Sequence, residues 1–527
     1  MVASLLKVLT TGIQDTRLQP TSGERLQSAS GERLQPFQKV WIRAGRFTTR
    51  WERLEFDSVP AFGQTAQFRL LRKGHLMTRL YLVATMPDIY SVQRRARVAN
   101  GGPDAYPRFG WTNSLGHALV QQLTMDIGNA RVETMDSQLL EMLDEFYTPL
   151  EKVPLVNALI KRADNGFTEK SFGWPPANVG GALSTQPYQE TVVVPLPFWF
   201  CRGDSGAALP IDAMGADEVR CGVTFRGLNG LYYTGTHVVG NTSLDDGTSL
   251  WPILGSSFYA ADPVAVSGQT ALSDANGVIK MPAALPLGDC YVMAEYVYLD
   301  QNEANRFRLA DLQVPMVQHF AAAPQDTQGL LNARVPLFFP NPTREILFSC
   351  SPATAASYNA HFLVTRDLTG TANTLPSNAA GTPWWPDAVG LATAGPVMST
   401  YMRPAFALSD SEPLAAYALE YQGSLVRYRT EGGGLFRSVL PSYELRKSPW
   451  HGRYLYVLPF GIQNGFTPIS QTQSEANMDK IVKKELVLEF RPRYGAVSLS
   501  VGRFIVRVYS EAYNMLRVYG SRAGLMF

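Results

Sequence analysis

Cysteine is scarce in this chain, and neither sign of charge is in excess. Four cysteines are spread over 527 residues without a CxxC pair. We therefore predict neither a disulfide framework nor a zinc site, and we expect buried free thiols instead. The 47 Lys and Arg residues balance 45 Asp and Glu residues, which leaves a formal charge of +2. A near-neutral chain has no overall field for wrapping nucleic acid, so direct nucleic acid binding is not expected.

Long apolar runs are also missing. No run of about 18 uninterrupted apolar residues occurs, so we expect no transmembrane helix. The first ten residues are too short and are interrupted by Lys7, which argues against a signal peptide. Leu5, Leu6 and Leu9 would nevertheless share one face of a short helix. This face is a candidate for docking onto a partner or a membrane surface, and an ordinary frayed terminus is the alternative.

Patterns that carry catalysis are not found either. Six histidines are scattered singly, without HxH or HExxH spacing, and no GxSxG elbow is present. Glu141, Asp144 and Glu145 could suggest the paired carboxylates of a glycosidase, but a solvated helix face accounts for them. We therefore expect no enzyme activity, no metal and no cofactor.

Turn-forming and aromatic residues are abundant instead. The chain has 44 Gly, 35 Pro, 26 Phe and 23 Tyr residues, which favour many short strands joined by turns. From Phe37 onward, apolar and polar residues alternate over many segments, as in sheets with one buried face. A chain of this length exceeds one hydrophobic core. The sequence therefore predicts an all-β protein with at least two units.

Three local patterns interrupt the strands. The best helical pattern forms one apolar face from Leu139, Leu143, Phe146 and Leu150. Residues 127–130 predict a hairpin turn. The Arg-Gly-Asp triplet that begins at Arg202 predicts a turn between two strands, with an exposed adhesion site as the weaker alternative.

The chain divides at a change of texture near its middle. Residues 290–299 alternate as a strand does, and a helical pattern follows, with Asp300 as its N-cap and Glu303 at the third helical position. We expect Asp300, Glu303, Arg306 and Phe307 to form the junction that fixes how the second unit lies beside the first. The predicted organisation is an arm with octapeptide repeats at 1–36, a first unit at 37–300, a linker helix at 301–312 and a second unit at 313–527.

Two polar excursions interrupt the units, at 227–288 and at 351–415. Both are predicted to be long surface loops. Asn241 lies in a sequon within the first excursion and is a candidate glycosylation site.

Short segments in a fixed order along the chain resemble one protein family. They are Gly12 to Asp15, Arg72 to Leu76, Gly116 to Leu119, Pro195 to Cys201, Glu295 to Asp300 and Tyr513 to Val518. Together they resemble the major capsid proteins of nucleocytoplasmic large DNA viruses, a double jelly-roll family. Two positions depart from the family pattern, because His75 replaces an acid and Ala304 replaces an Arg.

The resemblance implies a fold and a function. The fold would be two consecutive eight-stranded jelly-roll sandwiches with long surface loops and a few short helices. The protein would be a structural virion protein that forms pseudo-hexagonal homotrimers, the capsomers that tile an icosahedral shell. Its partners would be neighbouring capsomers, minor capsid proteins and an internal membrane reached by the N-terminal arm, and assembly would take place in cytoplasmic viral factories of the host. The alternatives are a minor capsid paralogue and a receptor- or glycan-binding surface protein that uses Trp384 and Trp385 as stacking platforms.

Overall fold

The structure is a computed structural model, and its first described strand begins at Phe47. It describes residues 47–87, 108–162, 191–235, 285–353, 412–431, 434–449, 453–461, 474–491 and 502–527, together with 355, 359, 361–364, 465–466 and 468–469. The predicted arm with Leu5, Leu6 and Leu9 lies outside the described residues. The same holds for Asn241 and for both tryptophans of the second excursion.

The strands that precede the junction form two four-stranded antiparallel sheets and one short pair. They are β1 (Phe47–Leu54), β2 (Thr65–Arg69), β3 (Leu76–Thr85), β4 (Arg108–Trp111), β5 (Val120–Ile127), β6 (Ala130–Asp136), β7 (Thr191–Pro195), β8 (Val219–Phe225), β9 (Tyr232–Gly235) and β10 (Cys290–Leu299). One sheet has the order β1-β10-β3-β7 and the other has the order β2-β8-β5-β6, while β4 pairs with β9. We call this half the first sandwich.

The strands that follow the junction repeat this plan. They are β11 (Leu312–Ala321), β12 (Gln325–Asp326), β13 (Asn332–Pro336), β14 (Pro342–Pro352), β15 (Leu414–Tyr421), β16 (Ser424–Glu431), β17 (Leu455–Pro459), β18 (Ala476–Asn477), β19 (Lys484–Phe490), β20 (Phe504–Tyr519) and β21 (Arg522–Leu525). The two main sheets have the orders β11-β20-β14-β17 and β13-β19-β15-β16, and β12, β18 and β21 extend the first of them. We call this half the second sandwich.

The two sandwiches share one connection pattern. Apart from the accessory strands β4, β9, β12, β18 and β21, each half has eight strands in the described residues. In both halves the first, eighth, third and sixth strands form one sheet, and the second, seventh, fourth and fifth form the other. This is the jelly-roll arrangement, so the predicted pair of eight-stranded jelly rolls is confirmed. The domain boundaries at 37, 300 and 312 stay predictions.

Alternation along the strands places the core between the sheets. In β19, Leu486, Leu488 and Phe490 are fully buried while the intervening residues are half-buried, as a pleated strand with one inward face requires. The predicted hairpin at 127–130 is confirmed, because Ile127 pairs with Ala130 and Gly128 has a φ of 59°. A glycine at the first turn position with positive φ is the usual choice for a two-residue hairpin loop.

The helices are short and lie mainly in the connections. They are α1 (Leu115–Leu119), α2 (Ser137–Tyr147), α3 (Val153–Ile160), α4 (Gln301–Leu309) and α5 (Leu440–Glu444), the last preceded by a π-helical turn (Leu435–Val439). No helix in the described residues is long and apolar enough to cross a membrane.

Helix α2 differs at its end from the predicted pattern. The Asp136 side chain caps it by accepting the backbone N–H of Leu139 at 2.8 Å. Its apolar residues Leu143 and Phe146 are buried as expected. The inclusion of Leu150 was wrong, because the helix ends at Tyr147 and Leu150 is 61% exposed in the following 3-10 turn.

Helix α4 occupies the predicted junction. It begins directly after Asp300, with Glu303 in its first turn, but the Asp300 side chain makes no capping hydrogen bond. It ends at Leu309, because Leu312, which we expected in the helix, opens β11. Phe307 packs against a small buried group of the first sandwich made of Leu76, Ala208 and Val297. The junction helix is therefore attached to the first sandwich.

Candidate functional site: the contact between the two sandwiches

The two sandwiches meet face to edge through a buried contact. Strand β6 and helix α2 of the first sandwich lie against the outer face of the sheet β11-β20-β14-β17 of the second. On this outer face, Tyr509 of β20 donates its hydroxyl to Asp136 at 2.7 Å. Gln318 of β11 donates its side-chain amide to the carbonyl oxygen of Val132 at 2.6 Å. The apolar residues of both halves belong to one continuous buried cluster, so the contact is an extension of the core.

A charged cluster lies at the centre of this contact, around Glu511 of β20. Arg202 of the first sandwich places Nη1 2.7 Å from Glu511 Oε2, and Arg344 of β14 places Nη1 3.0 Å from Glu511 Oε1. His319 of β11 has Nε2 3.3 Å from Glu511 Oε2 and Nδ1 3.3 Å from Glu133 Oε2 of β6. All of these side chains are nearly or fully buried, so each charge has its partner inside the protein.

The surroundings of Glu511 and His319 favour the charged form of each side chain. Burial raises the pKa of Glu511, but Arg202, His319 and Arg344 lower it by more and hold the pKa well below its ordinary value. Burial lowers the pKa of His319, but Glu133 and Glu511 raise it by more, so the net pKa lies above its ordinary value. Arg202 Nη2 also lies 2.8 Å from His319 Nε2. The neutral ring accepts that hydrogen bond, whereas the protonated ring donates from Nε2 to Glu511.

A second charged cluster ties helix α2 to the second sandwich. Glu141 Oε1 lies 2.6 Å from Arg453 Nη1, and Glu145 Oε1 lies 3.4 Å from Lys447 Nζ. Within the first sandwich, Arg162 and His117 each lie 2.6 Å from Glu141 Oε2. Burial raises the pKa of Glu141, but Arg162, Arg453 and His117 lower it by more, which leaves the pKa well below its ordinary value.

This cluster corrects the reading of the acidic helix face. We expected Glu141, Asp144 and Glu145 to be solvated, but Glu141 and Glu145 are almost fully buried and the Asp144 side chain is 12% exposed. Asp144 pairs with Arg162. The reading was wrong because the face that points away from the first core is covered by the second sandwich.

Hydrogen bonds to backbone carbonyls complete the contact near β4 and β9. Asn359 donates its side-chain amide to the carbonyl oxygens of Asn229 at 2.7 Å and Tyr232 at 2.6 Å, and its own carbonyl accepts from Thr112 Oγ1 at 2.7 Å. His361 Nε2 lies 2.6 Å from the carbonyl oxygen of Gly230, and burial lowers the pKa of His361 to about 4. The described residues at the start of both predicted surface excursions therefore take part in this contact.

The Arg-Gly-Asp triplet is part of this contact. It lies between two 3-10 turns, Trp199–Cys201 and Ser205–Ala207, so the predicted turn is confirmed. The Arg202 side chain is 13% exposed and is held by Glu511, which leaves no exposed guanidinium for an adhesion receptor. The alternative adhesion role is therefore wrong.

The described residues contain free cysteines and no candidate metal site. All four thiols are free, and Cys221, Cys290 and Cys350 are buried, as expected. Burial raises the pKa of Cys290 to about 12, so this thiol stays protonated and unreactive. Across the described ranges, no group of three or more His, Cys, Asp or Glu side chains could hold a metal ion.

The predicted junction residues lie at helix α4. Asp300 directly precedes α4, and Glu303 and Arg306 lie on it. Arg306 is exposed, and the neighbouring Arg308 pairs with Asp212 of the first sandwich at 2.6 Å. Their proposed effect on the angle between the sandwiches stays a prediction. The residues that join the sandwiches were missed, although one signal was available. Arg344, Glu345 and Glu511 are charges within otherwise apolar strands, a pattern that marks a second buried face.

Comparison with known proteins agrees with this architecture. A family model described as the major capsid protein N-terminus matches residues 36–300. Probable capsid protein 4 of Acanthamoeba polyphaga mimivirus is 25% identical over 240 residues, which are 45% of this chain and 41% of that protein. The major capsid protein of Frog virus 3 (isolate Goorha) is 24% identical over 319 residues, which are 60% of this chain and 59% of that protein. The alignments thus span less than two thirds of either relative.

The solved structures extend the likeness to nearly the whole chain. A quasi-atomic model of the PBCV-1 virus capsid has a TM-score of 0.62 at 16% identity and covers 93% of this chain and 99% of that one. At this identity the likeness shows the shared fold. Because the family model takes in half of the chain and both halves fold as jelly rolls, this chain belongs to the major capsid protein family of large DNA viruses.

Proposed function

We propose that this protein is the repeating wall unit of an icosahedral virion and assembles as a homotrimeric capsomer. The observation that supports this best is the contact between the sandwiches, which is buried, charged and continuous with the core. Three chains, each with two fixed jelly rolls, place six similar sandwiches around a threefold axis. Such a particle has a nearly hexagonal outline and packs edge to edge in a flat lattice.

The charged clusters suit a unit whose shape must not vary. Buried ion pairs add little net stability over well-packed apolar residues, because removing charges from water is costly. Their directional bonds do, however, disfavour other ways of docking the sandwiches, which we take as their role here. A wall built from hundreds of copies requires that every copy has the same angle between its halves.

We further propose the partners of the capsomer. They are neighbouring capsomers, minor capsid proteins and an internal membrane, the last contacted through the arm at 1–36. The near-neutral charge of the chain supports a wall that does not grip the genome. The site of assembly would be the cytoplasmic viral factories of the infected cell.

Sedimentation of the purified chain tests the capsomer directly. We expect a single species near three times 58.1 kDa. A species near 58.1 kDa at micromolar concentration would contradict the proposal. The chain without residues 2–35 should still form trimers but assemble poorly into shells. Unchanged assembly would contradict the docking role of Leu5, Leu6 and Leu9.

A further inference from the structure

The outer faces of the two equivalent sheets differ in how far they are covered. In the sheet β11-β20-β14-β17 of the second sandwich, the outward residues Glu345, Leu347, Tyr509 and Glu511 are at most 2% exposed. The first sandwich covers them through β6 and α2. The equivalent sheet of the first sandwich, β1-β10-β3-β7, has no strand and helix packed on it in this way within the described residues. Ala208 and Phe307 pack on its Leu76 and Val297, whereas Phe47 and Trp51 stay exposed.

The outward side of β1, β10 and β3 carries a group of aromatic and apolar side chains. Leu54, Leu80 and Val292 point into the core, so the alternating residues of the same strands point outward. The apolar and aromatic ones form what we call the outer sheet face, namely Phe47, Trp51, Tyr81, Tyr291 and Met293. The charged residues Arg53, Arg79 and Glu295 lie among them. The Trp51 and Tyr81 rings lie 5.7 Å apart, and Tyr81 lies opposite Met293 in the register. Phe47 is 61% exposed and Trp51 is 42% exposed, and grouped apolar side chains on a surface mark candidate interaction sites.

A second uncovered surface lies on the second sandwich. In the first sandwich, the covering elements are the fifth strand, β6, and the helix that follows it. The equivalent elements of the second sandwich are β16 and the helical segment Leu435–Glu444. This segment exposes one residue per turn along one side, with Leu435 at 39%, Val439 at 46% and Tyr443 at 71%. We call these three residues the helical stripe.

We infer that the helical stripe of one chain docks onto the outer sheet face of a second copy of the same chain. Inside the chain, the fifth strand and its helix from the first sandwich cover the outer sheet of the second. The same contact made from the second sandwich would cover the outer sheet face of the next copy. Each of the two surfaces is thus equivalent to one side of the contact that the chain already makes between its own sandwiches.

This assignment rests on the proposed trimer and adds to it the surfaces that join the copies. The contact is heterologous, because each copy presents a different surface to each neighbour. Around the ring, contacts within a chain alternate with contacts between chains. The ring closes when the helical stripe of the last chain docks onto the outer sheet face of the first chain. Buried charges hold the internal contact, whereas the centre of the external one would be apolar and aromatic with charged residues around it, as in other oligomer interfaces.

Two charge insertions and a matched control test the surfaces. Trp51→Asp changes the outer sheet face, Val439→Asp changes the helical stripe, and Val59→Asp places the same charge on a residue that is 87% exposed in the loop after β1. We expect the first two variants to sediment near 58.1 kDa and the control to keep the wild-type mass. If either surface variant keeps the wild-type mass, the inference is overturned.

Cysteine labelling gives a readout that does not depend on breaking the particle. In the assembled particle, a maleimide should react readily with the Val59→Cys variant but not with the Tyr443→Cys variant. The wild-type chain gives the background reaction of the half-buried Cys201. A wild-type trimer in which Tyr443→Cys labels as fast as Val59→Cys would overturn these surfaces and leave the trimer standing. A wild-type protein that sediments as a single chain would instead remove the trimer and the inference together.

Discussion

Replacing Arg202 by Met tests whether the charged cluster holds the two sandwiches together. Arg202 comes from the first sandwich, and its partner Glu511, which is fully buried, comes from the second, with 2.7 Å between Nη1 and Oε2. Removing one partner of a buried ion pair costs about 3–5 kcal/mol of unfolding free energy, because the other charge stays buried. Arg344 still contacts Glu511 at 3.0 Å. We therefore expect a loss of about 3 kcal/mol, at the lower end of that range.

Denaturant unfolding at one fixed chain concentration measures this loss, since association stabilises the folded state. The Glu511→Gln variant and the double variant complete a cycle, for which we expect a coupling energy of about 1–3 kcal/mol. Arg517→Met is the matched control, because Arg517 pairs with Asp311 at 2.8 Å on the surface and its side chain is 50% exposed. The control should unfold like the wild type. If Arg202→Met changes stability no more than the control, the cluster does not hold the sandwiches.

Three further outcomes are expected from the same measurement. Folding lowers the pKa of His361 from 6.5 to about 4, so between these pH values only the unfolded chain takes up a proton there. The free energy of unfolding should therefore fall by about 3 kcal/mol as the pH is lowered from 6.5 to 4. The variant His361→Gln should lack this part of the pH dependence. Phe307→Ala should cost about 2 kcal/mol and lower the trimer yield by freeing α4 from the first sandwich, whereas Leu309→Ala, at a residue that is 87% exposed on the same helix, should do neither. Gly116→Ala should cost about 1–3 kcal/mol, because a Cβ there would lie 2.9 Å from Val194 Cγ2.

Strand and core positions could be predicted because they depend on local alternation. The hairpin at 127–130, the buried faces of Leu143 and Phe146 and the strand at 290–299 are all set by residues close together in the chain. The start of α4 after Asp300 followed from local chemistry too. Its end did not, because Leu312 pairs with Val518 in β20, far away in the sequence.

The contact between the sandwiches could not be predicted in the same way. Glu141 and Glu145 form a helix face that is polar, and polarity normally indicates solvent. That face is buried because Arg453 and Lys447, some three hundred residues later, supply the opposite charges. Burial of such groups depends on a partner surface that is not adjacent in the chain. The same limit applied to Arg202, whose local sequence describes a turn and whose side chain serves Glu511.

Cryo-electron microscopy of the purified particle tests the central claim most directly. The account predicts three chains around a threefold axis, with six jelly rolls at nearly equal spacing and the stripe of Leu435, Val439 and Tyr443 seated on Trp51 and Tyr81 of the next chain. The contact inside each chain should superpose on the contact between chains. A single chain, a twofold dimer, or a trimer joined through other surfaces would contradict the account.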